Sequence, residues 1–433
     1  MHSNRHIKKL GSPGLTLIII LWLTNMSWAI SLSDLQDIGV TSRKVIEKHR
    51  LAIQKEEQNI KISRSPFWPS LDVRYTGTAL DEATLFEKSY NHELVGSLSY
   101  NLFSGFRDRY SNLSYDSLKT AREFELQSII QSIRFNIAIR YLDIFRAQNQ
   151  LKVSQDEVAL LRKRYQDSES RYNVGLIKKN DLLKLKVQMD DSLQKMKKAE
   201  AALQKSINYL EFETEVKISG DDLNFDELNH LPEVMDEAYY LEAQENNRSE
   251  IKALESIRTS QAYGVKSLNS AYYPAVDMVA SYKKYRENYK QIGEEYIFGL
   301  EENWEDEARL QLNVTLNLFN GLKNNAQIHK AKLEANITSS DLHELKMNLA
   351  TELKNTLMDF QVASKNLEVA ESSVSQAEEN LRVTDAAFKE GVETATEVLD
   401  AVLNLSRAKN NVILARSEVF FYYYKLMWLT ETL

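Results

Sequence analysis

Two stretches of the chain alternate apolar and polar residues, and each ends in the same short motif. Residues 310–318 carry leucine or valine at every second position, which is the period-two pattern of a strand with one apolar face. Residues 94–102 show the same pattern less strictly. The earlier stretch ends with Leu102-Phe103-Ser104-Gly105 and the later one with Leu318-Phe319-Asn320-Gly321. We predict a strand in both places, ended by the glycine, which can turn the chain without steric cost.

After each motif, apolar residues recur every three or four positions, which predicts a long helix with a coiled-coil seam. Neither helical run contains a proline, and the first continues from Gly105 to about Asn173. A helix of that length extends roughly 100 Å at about 1.5 Å per residue, which is too long for a compact domain. Val174-Gly175-Leu176-Ile177 interrupts the first run and Glu390-Gly391-Val392 the second, and another helical pattern follows each. The sequence therefore predicts two long antiparallel helical hairpins.

A shorter helix and a β-hairpin are predicted before each helical hairpin, so the chain is interpreted as an internal duplication. The shorter helices cover about 35–62 and 233–268, and the β-hairpins cover 70–103 and 275–319, with loops at about 81–93 and 285–307. Pro69 and Pro274 are 205 positions apart, whereas residues on the two helical hairpins are 216 apart, so the second β-hairpin loop is eleven residues longer. The pairs with the 216-residue offset are Gly105 and Gly321, Gly175 and Gly391, and Leu183 and Leu399.

Residues 1–29 are predicted to be a secretory signal, because three basic residues precede the apolar segment 15–23 and Ser27-Trp28-Ala29 suits a signal peptidase. A retained membrane anchor is the alternative, which the shortness of the apolar segment disfavours. We also predict that Asn180-Asp181 caps the returning helix of the first helical hairpin and that Pro232 begins the helix after the linker. The predicted divisions are the first repeat at 30–212 with its helical hairpin at 105–212, a linker at 213–231, and the second repeat at 232–433 with its helical hairpin at 321–428.

Composition fits a mainly α protein and restricts its partners and chemistry. Only five prolines and thirteen glycines occur in 433 residues. Removing the three basic residues of the signal from 54 leaves 51 Lys and Arg against 62 Asp and Glu, a net charge of −11, so no nucleic acid partner is expected. The sequence has no cysteine, which excludes disulfides, thiolate metal sites and a lipid-modified N-terminal cysteine.

Motifs for catalysis are missing from the sequence. His92-Glu93 and His343-Glu344 begin like a zinc-protease motif, but Gly96 and Met347 stand where the second histidine is needed. The sequence also lacks a phosphate loop, a Gly-x-Ser-x-Gly elbow and a dinucleotide fingerprint. We therefore expect no enzyme activity, no cofactor and no metal site.

The four predicted strands are ten to twelve residues long with one apolar face, which is the length that a tilted strand needs to cross a bilayer. Open strand edges are not tolerated in hydrocarbon, and four strands cannot close a barrel alone. Strands in a membrane therefore imply an obligate oligomer. The alternative is a soluble sheet whose apolar face packs on the helices, which the great length of the helices disfavours.

These motifs, in this order and spacing, resemble the TolC family of outer-membrane channel proteins over almost the whole chain after the signal. The resemblance rests on the two Leu-Phe-x-Gly junctions, on Val-Gly-Leu-Ile followed by Asn-Asp-Leu-Leu, and on Glu-Gly-Val followed by Glu-Val-Leu-Asp. It implies a homotrimer whose four strands per chain form a shared twelve-stranded β-barrel in outer-membrane lipid. The long helices would form an α-barrel tunnel through the periplasm.

The resemblance also implies partners and sites. The channel would export substrates with a periplasmic adaptor and an inner-membrane transporter of the RND, ABC or MFS type, in efflux or type I secretion. The two hairpin tips, 174–177 and 390–392, would dock on the adaptor, with Leu176, Ile177 and Val392 exposed. Glu397 and Asp400 would form acidic rings at the periplasmic aperture. Phe388 and Glu393 stand where relatives have tyrosine and arginine ties, so the closed state is expected to be held differently.

The exported substrate, whether drug, metal ion or protein, is not encoded in these motifs. A periplasmic coiled-coil adaptor or a structural stalk without a pore is the alternative function. Such an adaptor is expected to carry one helical hairpin and compact β-domains, whereas this chain has two helical hairpins.

Overall fold

The computed structural model describes residues 30–81, 88–289 and 304–433. The predicted signal and the central parts of both predicted β-hairpin loops lie outside these residues. The elements of the first half are α1 (Leu32–Ser42), α2 (Lys44–Arg64), β1 (Ser70–Ala79), β2 (Lys88–Ser104), α3 (Arg107–Asn173) and α4 (Lys179–Thr214). Those of the second half are α5 (Glu237–Asn247), α6 (Ser249–Leu268), β3 (Ala275–Tyr289), β4 (Glu305–Thr315), α7 (Lys323–Lys389) and α8 (Ala395–Leu429).

The second half repeats the first element by element. The first residues of α5 and α6 follow those of α1 and α2 by 205 positions, and α7 and α8 follow α3 and α4 by 216. Both α3 and α7 contain 67 residues, so each extends roughly 100 Å. The apolar seam predicted for α7 is buried, with Leu342, Leu353 and Leu367 at most 5% exposed. The structure thus has the predicted mainly helical, duplicated architecture.

The shorter helices predicted at about 35–62 and 233–268 differ from the prediction, because each is two helices rather than one. The backbone is extended at Arg43, between α1 and α2, and leaves the helical region at Arg248, between α5 and α6. Pro232 does not begin a helix, since α5 starts at Glu237, where Asp236 caps it by accepting a hydrogen bond from the Tyr239 backbone N–H at 3.0 Å.

The same contact fixes both breaks. The Arg248 guanidinium donates to the Trp428 carbonyl at 2.6 Å and lies 4.4 Å from the centre of that indole ring. The Arg43 guanidinium likewise donates to the Phe212 carbonyl at 2.9 Å and lies 4.8 Å from the centre of the Phe212 ring. Each break is therefore attached to the end of a returning helix, α8 or α4. The sequence carried a signal for this, because Arg43 and Arg248 have the 205-residue offset of the prolines.

A glutamate completes each break. Glu215 and Glu431 have left-handed backbones just after α4 and α8. The Glu215 carboxylate accepts a hydrogen bond from the Lys44 N–H at the start of α2 (3.4 Å). The Glu431 carboxylate accepts one from the Ser249 N–H at the start of α6 (2.8 Å). Negative charge at a helix N-terminus is favourable because unpaired N–H groups and the helix dipole point there.

Removal of the two arginines should have unequal effects. We expect Arg248→Ala to lower the free energy of unfolding by about 3 kcal/mol. The substitution leaves the buried Glu431 carboxylate without its counter-charge and the Trp428 carbonyl without its hydrogen-bond donor. For Arg43→Ala we expect about 1 kcal/mol, because that side chain is 19% exposed. Guanidinium unfolding in detergent, followed by helical circular dichroism, measures both. A larger loss for Arg43→Ala would contradict this explanation.

The strands form one antiparallel sheet in the order β1-β2-β3-β4. Leu71, Leu98, Ala280 and Leu310 form one row across the four strands, and Asp72, Ser97, Ser281 and Arg309 form the adjacent row on the opposite face. The apolar face is uncovered, with Leu71 74% and Leu310 72% exposed. The soluble alternative, in which this face packs on the helices, is therefore wrong.

Strand ends also differ from the prediction. β2 begins at Lys88 and β3 continues to Tyr289, so both strands extend into the predicted loops, and β4 already begins at Glu305. Conversely, β4 ends at Thr315 and does not reach Phe319. The reason is the register, since Thr315 pairs with Ala275, the first residue of β3.

Helix packing leaves two free sides on the chain. In the half nearer the hairpin turns the helices pack in the order α4-α3-α8-α7. In the half nearer the sheet they pack in the order α2-α3-α6-α7. β1 and β4 are likewise the outer strands of the sheet. One side of the chain therefore presents β1, α2 and α4, and the other presents β4 and α7.

The linker between the repeats packs on the middle of α3. The Tyr141 hydroxyl donates a hydrogen bond to the Asn224 carbonyl, and its ring lies 4.7 Å from that of Phe225. Burial raises the pKa of Tyr141, so its hydroxyl stays protonated and can remain a donor. Leu210 and Leu228 are buried in the same cluster, which fixes α3, α4 and the linker to one another.

Candidate functional site at the hairpin tips

The two helical hairpins turn with the same backbone geometry. Gly175 and Gly391 have φ angles of 79° and 76°, in the left-handed region that glycine adopts without strain. The Gly175 N–H donates to the Tyr172 carbonyl at 2.9 Å, and the Gly391 N–H donates to the Phe388 carbonyl at 3.1 Å. Such bonds satisfy the last carbonyl groups of a helix. The tips are thus equivalent in backbone, and any functional difference between them lies in their side chains.

Apolar side chains are exposed at both tips. Val174, Leu176 and Val392 are 70%, 72% and 79% exposed. Ile177 is half-buried, contrary to the expectation from the sequence, because the chain is already returning to the helix pair there. Asn180 and Asp181 do not cap α4, since the helix already begins at Lys179. In α8 the cap is Thr394, whose hydroxyl accepts from the Glu397 N–H at 3.3 Å.

The residues expected at the aperture separate into exposed and buried groups. Glu397 and Asp400 are both exposed, while Val398 and Leu399 between them are buried, so the two carboxylates share the open face of α8. Glu393 is exposed in the turn before α8. Phe388, in contrast, is only 5% exposed. It lies in a cluster built from both hairpins, with Leu161, Leu185, Val398, Leu399 and Val402.

Two arginines of α3 attach the first hairpin to the second just above the tips. Arg164 pairs with Asp385 of α7 at 2.5 Å, with both side chains less than a fifth exposed. The Arg171 guanidinium lies 4.6 Å from the Phe388 ring centre and donates to the Phe388 carbonyl at 3.3 Å. Sequence reasoning missed Arg164 and Arg171, because their partners depend on how the hairpins pack and not on local spacing.

The strand-to-helix junctions use two consecutive left-handed residues. Gly105 and Phe106 have φ angles of 67° and 69°, and Gly321 and Leu322 both have 67°. A Cβ atom on Gly105 would lie 2.7 Å from the Ser270 carbonyl oxygen, so only glycine fits there. Phe103 packs edge-on against Phe106 at 5.2 Å, whereas Phe319 is 77% exposed. These junctions set the direction of α3 and α7 relative to the sheet.

Other kinds of site find no support in the described part of the chain. No group of three or more His, Asp or Glu side chains there is arranged to hold a metal ion. His92 lies on β2, where its ring nitrogen is 2.9 Å from the Tyr75 hydroxyl. Among the helices in the described ranges, none has an apolar segment long enough to cross a bilayer. The hairpin tips therefore remain the candidate site.

Comparison with known proteins decides the family. The sequence model described as "Outer membrane efflux protein" matches residues 41–212 and 240–420, which is more than half of the chain. The chain belongs to the outer membrane efflux protein family. It is an outer-membrane efflux channel whose long helices form a periplasmic tunnel. The predicted resemblance, fold class and location are confirmed, and the adaptor or stalk alternative is not favoured.

Two relatives agree with this membership. This efflux protein is 24% identical to outer membrane protein TolC of Vibrio cholerae serotype O1 over 326 residues, covering 72% of this chain and 71% of the relative. It is 21% identical to TolC of Escherichia coli K12 over 374 residues, covering 83% and 73%. These homologues are channel proteins and not enzymes.

Solved structures share the fold at low identity. A membrane protein from Pseudomonas aeruginosa matches with a TM-score of 0.80 at 14% identity, covering 92% of each chain. The outer membrane protein VceC from Vibrio cholerae matches with a TM-score of 0.76 at 16% identity, covering 92% of this chain and 95% of VceC. Both repeats, and not only one, therefore adopt the fold of these solved structures.

Proposed function

We propose that three copies of this efflux protein close into a channel and that the hairpin tips connect the channel to a periplasmic adaptor and an inner-membrane transporter. The observation that carries the proposal is the pair of free sides on a single chain. One side presents β1, α2 and α4, and the other presents β4 and α7. A contact between the two different sides is head to tail, and such contacts close into a ring when the rotation permits.

Exposed apolar residues follow both free sides. On α7 they are Leu333, Ile337, Met347, Met358, Val362, Val369 and Val383, all between 49% and 66% exposed. On the opposite side, Leu51 and Ile62 of α2 and Leu183 and Val187 of α4 are between 52% and 67% exposed. Apolar stripes of this length normally pack against a partner. The number of copies comes from the resemblance to TolC, since three chains of four strands give twelve.

Docking at the tips is supported by their exposed apolar side chains. Val174, Leu176 and Val392 project at the turns of both hairpins, far along the helices from the sheet. An adaptor would cover these groups and join the tunnel to a transporter, in either efflux or type I secretion.

Affinity purification after chemical crosslinking in cells tests this assembly. A tagged chain should be recovered with a periplasmic adaptor and an inner-membrane transporter in one complex. The chain should also migrate as a heat-labile oligomer in detergent extracts of outer membranes. Recovery of crosslinked oligomers with neither partner would contradict the adaptor connection, while leaving the channel itself in place.

The exposed carboxylates of Glu397 and Asp400 on α8 should make the pore bind cations. In a ring, Glu397 and Asp400 each occur three times, and unit charges about 4 Å apart interact by about 1 kcal/mol in water and about 4 kcal/mol at a surface-like dielectric. We expect multivalent cations added on the periplasmic side to block the conductance. Glu397→Ala/Asp400→Ala should raise the blocking concentration about tenfold or more.

Planar-bilayer recordings measure the block. Glu242→Ala/Glu245→Ala is the matched control, because these two exposed carboxylates of α5 have the same spacing but lie far from the tips. Equal block in Glu397→Ala/Asp400→Ala and the unmodified channel would remove both residues from the aperture.

A further inference from the structure

The two tips have the same backbone but opposite charge. The first tip, defined here as residues 171–186, carries five basic residues and one acidic residue. The second tip, defined as the equivalent residues 387–402, carries one basic residue and four acidic residues. Both windows contain the end of one helix and the start of the next, so the helix dipoles contribute equally to both. The difference in charge therefore comes from the side chains alone.

Part of this charge is presented to the surface around the apolar groups, since Arg171 packs on the Phe388 ring and Lys186 is paired with Asp190 at 3.0 Å. Lys178 and Lys179 are exposed directly after Leu176 and Ile177 at the first tip. Glu390 and Glu393 are exposed on either side of Val392 at the second. The single base of the second tip, Lys389, is paired with Asp385 at 3.0 Å and does not offset the exposed carboxylates. Each tip thus combines an exposed apolar centre with a rim in which one sign of charge predominates.

We infer that the partner is a helical hairpin that presents acidic side chains to the first tip and basic side chains to the second. The inference rests on the docking described under the proposed function and specifies the partner's chemistry. Two apolar tips of identical backbone would accept a partner interchangeably, whereas rims of opposite charge assign each tip its own contact. Complementary charges mainly determine orientation and exclude the wrong partner, because like charges brought together are strongly unfavourable. The two tips are therefore separate docking positions.

Photocrosslinking in cells tests this with one probe at each tip. Ser170 and Ala386 are equivalent exposed residues one turn before the two glycines, and each is replaced in turn by p-benzoylphenylalanine. We expect the Ser170 probe to crosslink to adaptor peptides rich in Asp and Glu, and the Ala386 probe to peptides rich in Lys and Arg. Adaptor crosslinks whose charges are the same at both probes would overturn the inference.

Charge reversal supplies the second measurement. Lys178→Glu/Lys179→Glu should reduce the adaptor crosslink from the Ser170 probe about tenfold and leave the Ala386 probe unchanged. Glu390→Lys/Glu393→Lys should do the opposite. The control Lys152→Glu/Lys163→Glu makes the same change of charge on α3, but its nearer residue lies roughly 18 Å from the tip glycine, beyond the screening length of about 8 Å.

The possible outcomes separate the inference from the proposed function. No adaptor crosslink at either probe in the unmodified channel would contradict docking itself. Crosslinks at both probes that charge reversal leaves unchanged would overturn only the assignment of charge. If a reversed variant fails to form the heat-labile oligomer, Lys178→Gln/Lys179→Gln replaces it, and the expected loss is then about threefold.

Discussion

Leu176→Asp should abolish export while the protein remains assembled in the outer membrane. Leu176 is 72% exposed at the first tip and has no role in the packing of its own hairpin. A carboxylate there removes the apolar contact and adds a charge that a partner must desolvate, and truncation of a central apolar anchor commonly costs several kcal/mol of binding. Accumulation of an exported compound in cells carrying the variant measures the effect.

Two further variants complete this test. Leu176→Met keeps the apolar contact and should retain export. Gly175→Asp should fail like Leu176→Asp because it places a carboxylate at the same tip, and the φ of 79° adds a backbone strain that glycine avoids. Normal export in Leu176→Asp, with a normal amount of heat-labile oligomer, would count against docking at this tip.

Leu312→Arg should prevent stable insertion, whereas Gln311→Arg should not. The two residues are adjacent on β4, but Leu312 lies on the apolar face and is 64% exposed, and Gln311 lies on the polar face. An arginine on the lipid side costs up to about 2–4 kcal/mol per chain, depending on its depth in the bilayer, and an assembly of several chains incurs that cost in each copy.

Fractionation of the envelope followed by an unheated gel gives the readout. We expect Leu312→Arg to be lost from outer membranes or degraded, and Gln311→Arg to be recovered there as a heat-labile oligomer. Equal recovery of the two variants would mean that the apolar face does not contact lipid.

The long helices could be predicted because one apolar stripe determines both their period and their packing. Leu349 and Leu353 belong to the apolar repeat that follows the second junction motif, and both are buried in the contact with the neighbouring helices. The junction glycines were predictable for a similar reason, since a left-handed residue between a strand and a helix leaves few alternatives to glycine.

The helix breaks could not be read from local periodicity. The apolar pattern continues across Arg43 and Arg248, and the backbone leaves the helix because each guanidinium binds a carbonyl about 170 to 180 positions further along the chain. The contacts of Phe388 belong to the same class. Its burial depends on Leu161 and Leu185 of the other hairpin, a pairing that only the packed structure reveals.

A single disulfide pair tests the central claim, that three copies join by the α4 side of one and the α7 side of the next. The chain has no cysteine, so Leu183→Cys/Val383→Cys introduces the only two. Both residues are about half exposed, and each lies eight positions from its tip glycine, so they face each other across the proposed contact. Oxidation in isolated outer membranes should give covalent species that stop at the trimer, while either cysteine alone should give none. A ladder continuing beyond three chains, or chains that stay monomeric in the double variant, would contradict the account.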